Sequence, residues 1–101
     1  MAVVAGIDFG TLSVRVSIVD TSGGILGSAA AGYPLHRDPA DPSLATQKHD
    51  DHMAALVVAM AAALANANIS GAAVAALAVA TTGSSVLPVD DRLQPLGDYY
   101  L

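Results

Sequence analysis

The chain has 101 residues, and a domain of that size buries only about 60 to 70% of the surface its unfolded chain exposes, so a second hydrophobic core is excluded. Nine acidic residues against four basic ones give a net charge of −5, the wrong sign for a surface that neutralises a nucleic-acid backbone, and no nucleic-acid partner is expected. The absence of cysteine removes disulfides, thiolate metal sites and a cysteine nucleophile.

Taken from the amino end, Ala2 to Ile7 is a nearly continuous apolar run ending on an acid, the pattern of a strand covered on both faces. Met1 to Ile7 has no positively charged start and runs straight into Asp8, so it does not read as a secretory signal, and a cytoplasmic location is the expectation. From Ser13 to Asp20, Val14, Val16 and Ile18 alternate with Ser13, Arg15 and Ser17, which predicts a second, half-buried strand. Only Phe9 to Leu12 separate the two, too few for a crossover helix, so the strands are predicted to be antiparallel neighbours. Thr21-Ser22-Gly23-Gly24 signals another turn, and Ile25 to Gly32 returns as the third strand of a meander.

Tyr33 to Lys48 contains Pro34, Pro39 and Pro42 and is expected to run as an extended surface connection. A helix should follow, capped by Asp50 or Asp51 and ending near Asn66 to Asn68. Met53, Leu56, Val57, Met60 and Leu64 recur at spacings of three and four, predicting the stripe that faces the core. The apolar tract Met53 to Ala65 falls short of the roughly 20 residues a membrane-spanning helix needs, so no membrane partner is expected. Ser70-Gly71 opens a brief helical turn. Ala76 to Ala80 reads as a further buried strand, and the helix before it allows that strand to lie parallel to the first. Val86 to Val89 and the turn Asp90-Asp91-Arg92 predict a last hairpin, whose return Pro95 confines to an edge.

Chemistry-bearing residues gather in the first turn. A tight turn rich in backbone N–H groups can cradle phosphate oxygens, because the donors converge on a concave site. Gly10 permits close approach, Thr11 and Ser13 offer hydroxyls, Arg15 offers a planar cationic fork, and Asp8 can hold a magnesium ion directly or through water. The plainer reading is that Asp8 caps a turn, Gly10 makes it and Arg15 is a solvated strand residue; local sequence leaves both open. No Gly-x-x-x-x-Gly-Lys-Ser/Thr pattern occurs, so ATP binding would have to use this hairpin. His49 and His52, three apart, would share a helical face, but no third metal ligand is evident, and solvated histidines at a helix start are the preferred reading. His36 and Arg37 are read as surface loop residues.

Gly6-Ile7-Asp8-Phe9-Gly10-Thr11-Leu12-Ser13-Val14-Arg15 resembles the first phosphate motif of the FGGY carbohydrate kinases, members of the actin-like ATPase superfamily. Thr81-Thr82-Gly83-Ser84-Ser85-Val86-Leu87-Pro88-Val89-Asp90 is similar to the stretch after the fourth strand in ribulokinases, and Gly32-Tyr33-Pro34 matches the connection between them. The resemblance covers almost the whole chain. It implies an α/β, ribonuclease-H-like (actin-like ATPase) domain in which a three-strand antiparallel meander is followed by a helix and further strands. Residues 1–101 would form the N-terminal part of the first kinase domain, incomplete by itself.

The activity implied is transfer of the γ-phosphoryl group of ATP, with Mg2+, to a small-molecule sugar, a ketopentose such as L-ribulose. Asp8 would assist the metal, Gly10 and Thr11 would shape the phosphate cradle, Ser13 and Arg15 would face the phosphates, and Thr82, Gly83 and Ser84 would lie near the sugar. Many relatives carry a Gln-Arg or Gln-Glu pair where this chain has Ser84 and Ser85, which favours a ribulokinase-like pocket over one for glycerol or xylulose. In the family the general base is an aspartate much further along, so none is assigned here, and the piece alone is expected to be inactive. The competing expectation is a non-catalytic or chaperone-like ATP-binding module of the same superfamily, and a third is an interaction domain without a ligand. Apolar surface meant for the missing remainder would favour association into a homo-oligomer.

Overall fold

The computed structural model describes residues 2–101; Met1, where the segment weighed as a secretory signal begins, lies outside the described residues. Seven strands and one long helix follow in the order β1 (Val3–Phe9), β2 (Ser13–Asp20), β3 (Gly24–Gly32), β4 (His36–Asp38), β5 (Asp41–Gln47), α1 (His49–Ala67), a 3-10 turn at Gly71–Ala73, β6 (Val74–Ala80) and β7 (Tyr99–Tyr100). The main sheet has the strand order β3-β2-β1-β6, with β1, β2 and β3 antiparallel and β6 parallel to β1. This is the meander, helix and parallel return expected from the sequence. A crossover through α1 is what allows β6 to join beside β1 with the same polarity.

Alternation sets the core. Val3, Ala5 and Ile7 of β1 and Val14, Val16 and Ile18 of β2 are buried on one face, beneath α1, together with Tyr33. Val14, Val16 and Ile18 are wholly buried, each contributing about 1.5–3 kcal/mol relative to an exposed side chain. The other face of β1 is only partly covered: Val4 and Gly6 are half-buried and Asp8 is exposed. The expectation of cover on both faces therefore fails within this chain, because its one long helix lies on a single side of the sheet.

The helix packs through a different stripe from the one predicted. Ala55, Ala59 and Ala63 are buried, Leu56, Met60 and Leu64 flank them, and Met53 and Val57 are exposed. Alanine wins the central row because small side chains let the helix backbone approach the sheet closely. The approach is tightest at Gly27 in β3, where an added Cβ would sit 2.5 Å from the Ala67 nitrogen. At the amino end, neither Asp50 nor Asp51 is the cap; Lys48 is, in extended conformation and without a side-chain cap bond, while both aspartates lie in the first turn, where the helix dipole favours them. At the other end Asn68 takes a left-handed conformation, and the Asn68 and Ile69 amides donate to the Ala65 and Leu64 carbonyls, closing the helix where expected.

The proline-bearing segment is not a plain connection. It folds into the β4–β5 hairpin, whose turn is held by the Asp38 carboxylate accepting from the Ala40 amide at 2.9 Å, and β7 pairs with β5 to complete a second, three-stranded sheet. Beyond β6, the expected hairpin is reduced to a loop. The Asp90 carboxylate accepts from the Arg92 and Gln94 amides, and the loop pairs through bridges from Val89 to Pro95 and from Val86 to Tyr100. Strand β6, expected to be buried, is the outer strand here, with Leu77 and Val79 more than half exposed. Among the described residues no helix is long and apolar enough to cross a membrane.

Candidate functional site

Strand β1 carries Asp8, Phe9 and Gly10 to the carboxyl end of the sheet, and the chain reverses there. The Gly10 amide donates to the Ser13 carbonyl at 2.8 Å, leaving Thr11 and Leu12 at an exposed tip. Two buried side chains from later in the sequence grip this turn by its carbonyl groups. The Tyr33 hydroxyl lies against both the Gly10 and the Ser13 carbonyl oxygens, and its single proton serves one at a time. The Tyr33 amide donates to the Leu12 carbonyl at 3.1 Å. The side-chain amide of Gln47 donates to the Thr11 carbonyl.

Beneath the turn the aromatic rings form a stack. His52 lies between Tyr33, with ring centroids 4.1 Å apart, and Tyr99 at 4.6 Å, and Phe9 sits 5.8 Å away. The Nε2 of His52 is 2.9 Å from the Gln47 side-chain oxygen, and the Nδ1 of His49 is 2.7 Å from the Tyr99 hydroxyl. Burial, with His49 adding to it and Asp51 opposing, holds the His52 pKa below its ordinary value. Burial, with Asp8 and Tyr99 adding, raises that of Tyr33, which keeps the phenol protonated and able to donate. The two histidines thus bond and stack within the protein, and among the described residues no three His, Cys, Asp or Glu side chains are grouped to hold a metal.

Two concavities border the carboxyl-terminal parts of β1 and β6, on opposite faces of the sheet. One is a cleft of about 220 Å³ on the helix side, between Phe9 and Gly10, His49, His52 and Met53 of α1, and Thr81, Thr82, Ser85 and Tyr99. The other is a shallow groove of about 410 Å³ on the open face of the sheet, lined by Asp8, Arg15 and Ser17 with Ala78, Val79 and Ala80 of β6. Asp8 and Arg15 are register partners across β1 and β2 and are both exposed, yet they form no ion pair with each other. A lone carboxylate such as Asp8 fits Mg2+, which keeps most of its shell as water and phosphate oxygen.

Of the residues singled out from the sequence, Asp8 and Arg15 share the open groove, Gly10 borders the cleft, and Thr11 and Ser13 belong to the turn that joins β1 to β2. Thr82 lines the cleft, whereas Gly83 and Ser84 are exposed and stand outside its lining. The serine in the cleft is Ser85, whose Oγ is 2.6 Å from the Oγ1 of Thr82. Sequence reasoning did not single out Gln47, His52 or Tyr99 for this site. The three-residue spacing of His49 and His52 correctly placed both on one helical face, but nothing in the local pattern marks Gln47, whose partner on the turn, Thr11, is remote in sequence. His36 and Arg37 stay on the hairpin, His36 at 3.9 Å from Asp51 and Arg37 at 3.4 Å from the Pro42 carbonyl.

Comparison with known proteins bears on the family and the fold. Residues 3–101 match the family model described as the FGGY family of carbohydrate kinases, N-terminal domain. Ribulokinase 2 of Staphylococcus saprophyticus is 32% identical over 99 residues, a match covering 90% of this chain and 18% of that protein. Among solved structures, the xyloylose kinase of Brucella ovis superposes with a TM-score of 0.88 at 20% identity, over 98% of this chain and 20% of that one. A gluconate kinase of Lactobacillus acidophilus superposes with a TM-score of 0.84 at 19% identity, over 98% and 19%. The structural likeness is one of fold, and the chain spans about a fifth of the length of these relatives.

Proposed function

The chain belongs to the FGGY family of carbohydrate kinases, and from that premise we propose that it forms the first part of a longer, ATP-dependent kinase whose acceptor is a ketopentose such as L-ribulose. The observation that carries the reading is that two concavities border the carboxyl-terminal parts of the same two strands, β1 and β6. A groove bearing the charges of Asp8 and Arg15, which form no ion pair with each other, lies on one face of these strand ends, and a cleft bearing the Thr82 and Ser85 hydroxyls lies on the other, with Phe9 and Gly10 directly following Asp8. Ligands of sheets with parallel strands commonly lie outside the strands' carboxyl ends.

Phosphoryl transfer is catalysed mainly by positioning and charge stabilisation, and the residues suit that work. When bound, MgATP supplies the phosphoryl group and the divalent charge. Asp8 would hold the metal's water shell, Arg15 would offset phosphate charge, and the turn would donate backbone hydrogen bonds. Thr82 and Ser85 would hold sugar hydroxyls, and the ring edges of His52 and Tyr99 would exclude water beside them. The group that takes the acceptor's proton is proposed to lie in the remainder of the longer protein. The ribulokinase relative supports the choice of a ketopentose, as do Ser84 and Ser85 in place of the Gln-bearing pair.

Coupled ADP release by the full-length protein tests the reading, with MgATP alone and with L-ribulose, xylulose, gluconate or glycerol. Turnover should require a sugar, favour L-ribulose and fall roughly 100-fold or more in Asp8→Ala, the scale expected when a charge-stabilising group is lost. Turnover indifferent to every sugar would replace this reading with that of an ATP-driven module.

A further inference from the structure

We propose that Gln47 is a positioning residue for the nucleotide, holding the peptide planes of the Gly10–Ser13 turn so that the Thr11 and Leu12 amides face the phosphates. The inference rests on the kinase reading for its ligand class, a nucleoside polyphosphate.

The chain of argument begins with burial. Gln47 is 1% exposed, at the end of β5, and a buried amide is tolerated when its donor and acceptor are both used. Here both are: Nε2 donates to the Thr11 carbonyl and Oε1 faces Nε2 of His52. Reversing the amide would set oxygen against the Thr11 oxygen, so only one orientation bonds at both ends, and it requires the His52 proton on Nε2. The His52 ring is itself fixed between Tyr33 and Tyr99.

A trans peptide is planar, with its N–H pointing opposite to its C=O. Gln47 draws the Thr11 carbonyl inward, and the Leu12 amide must therefore point the other way. Tyr33 does the same to the Gly10 carbonyl and hence to the Thr11 amide. Two consecutive amides are thus turned away from the Tyr33–Gln47 side, at the exposed tip of the turn. An apolar residue at position 47 would fill the space but leave the Thr11 carbonyl without its donor. The peptide could then rotate toward water and carry the Leu12 amide away from the ligand.

The test uses the full-length protein and the variants Gln47→Leu, Gln47→Glu and Tyr33→Phe. Gln47→Leu should raise the KM for MgATP and the Kd for MgADP, measured by calorimetry, about tenfold, the effect of losing one well-made hydrogen bond. The sugar KM should stay within about twofold. Gln47→Glu has nearly the same shape but sets a carboxylate oxygen against the Thr11 carbonyl, so it should lose nucleotide affinity equally while keeping a circular-dichroism spectrum like the parent's. Tyr33→Phe should act in the same direction more weakly. MgADP should slow hydrogen exchange at the Thr11 and Leu12 amides in the parent and not in Gln47→Glu.

A lowered melting temperature with unchanged nucleotide affinity, or equal losses for sugar and nucleotide, would overturn the proposal. If Gln47→Leu does not fold, Gln47→Glu and Tyr33→Phe decide the matter. The parent protein separates the two ideas. If it binds MgADP and the variants do not, this inference stands even where no sugar supports turnover; if it binds no MgADP, both fall.

Discussion

At the residue scale, His52 couples the site to pH. Its folded pKa is depressed below 6.5, chiefly by burial, so the unfolded chain binds its proton first as pH falls. The stabilisation is present above pH ~6.5 and is lost as pH drops from there through the folded value. Thermal melting should be flat between pH 7 and 8 and fall toward pH 5, and His52→Phe, which keeps a ring in the stack, should flatten that slope. Of the two neighbouring serines, Ser85 lines the cleft and Ser84 does not. Ser85→Ala in the full-length enzyme should raise the acceptor KM about fivefold, the worth of roughly 1 kcal/mol, while Ser84→Ala changes it by less than about twofold. Steady-state kinetics with saturating MgATP would separate them.

At the element scale, α1 shows how a periodic pattern can be correct in kind and rotated in detail. The apolar spacing identified the helix and its end, but large apolar residues mark more than one row, and alanine is hydrophobic enough to be buried and small enough to permit the closest approach. The central row is therefore Ala55, Ala59 and Ala63. Ala59→Leu should destabilise by about 1–3 kcal/mol through overpacking, while Val57→Ala, on the exposed face, should lie within about 0.5 kcal/mol of the parent. Urea unfolding midpoints would show the order reversed if the Met53–Val57 side faced the sheet. The β4–β5 hairpin was hidden for a related reason: its prolines suggested a connection, yet Pro39 sits in the turn and Pro42 near the start of β5, away from the Thr46–Gln47 stretch that pairs with β7, positions where a missing N–H costs little.

At the scale of the molecule, the chain is open and elongated. Its radius of gyration is 15.6 Å, against about 13 Å for a compact domain of this length, and β6 presents Leu77 and Val79 outward along an unpaired edge. An apolar outer strand of this kind is a surface for further pairing, consistent with the proposal that the chain is the start of a protein about five times as long. Placing a charge there tests it: Leu77→Lys in the full-length protein should cost more than ~2 kcal/mol if the rest of the protein covers β6. An unchanged melting curve would mean that β6 remains at an edge.

Much of this protein is determined by local order. The alternation of Ser13 to Asp20, the turn too short for a crossover and the apolar run before Thr81 dictate the strands, their antiparallel start and the parallel return, because side-chain period and loop length act over a few residues. The motif around Asp8 to Arg15 likewise pointed to the family. Only the tertiary structure decided which helix row meets the sheet, that Ser85 enters the cleft, and that Gln47 and Tyr33 hold the turn. Those outcomes depend on groups far apart in sequence, Thr11 with Gln47 and His49 with Tyr99, whose hydrogen bonds exist only after the sheet, hairpin and helix have been brought together.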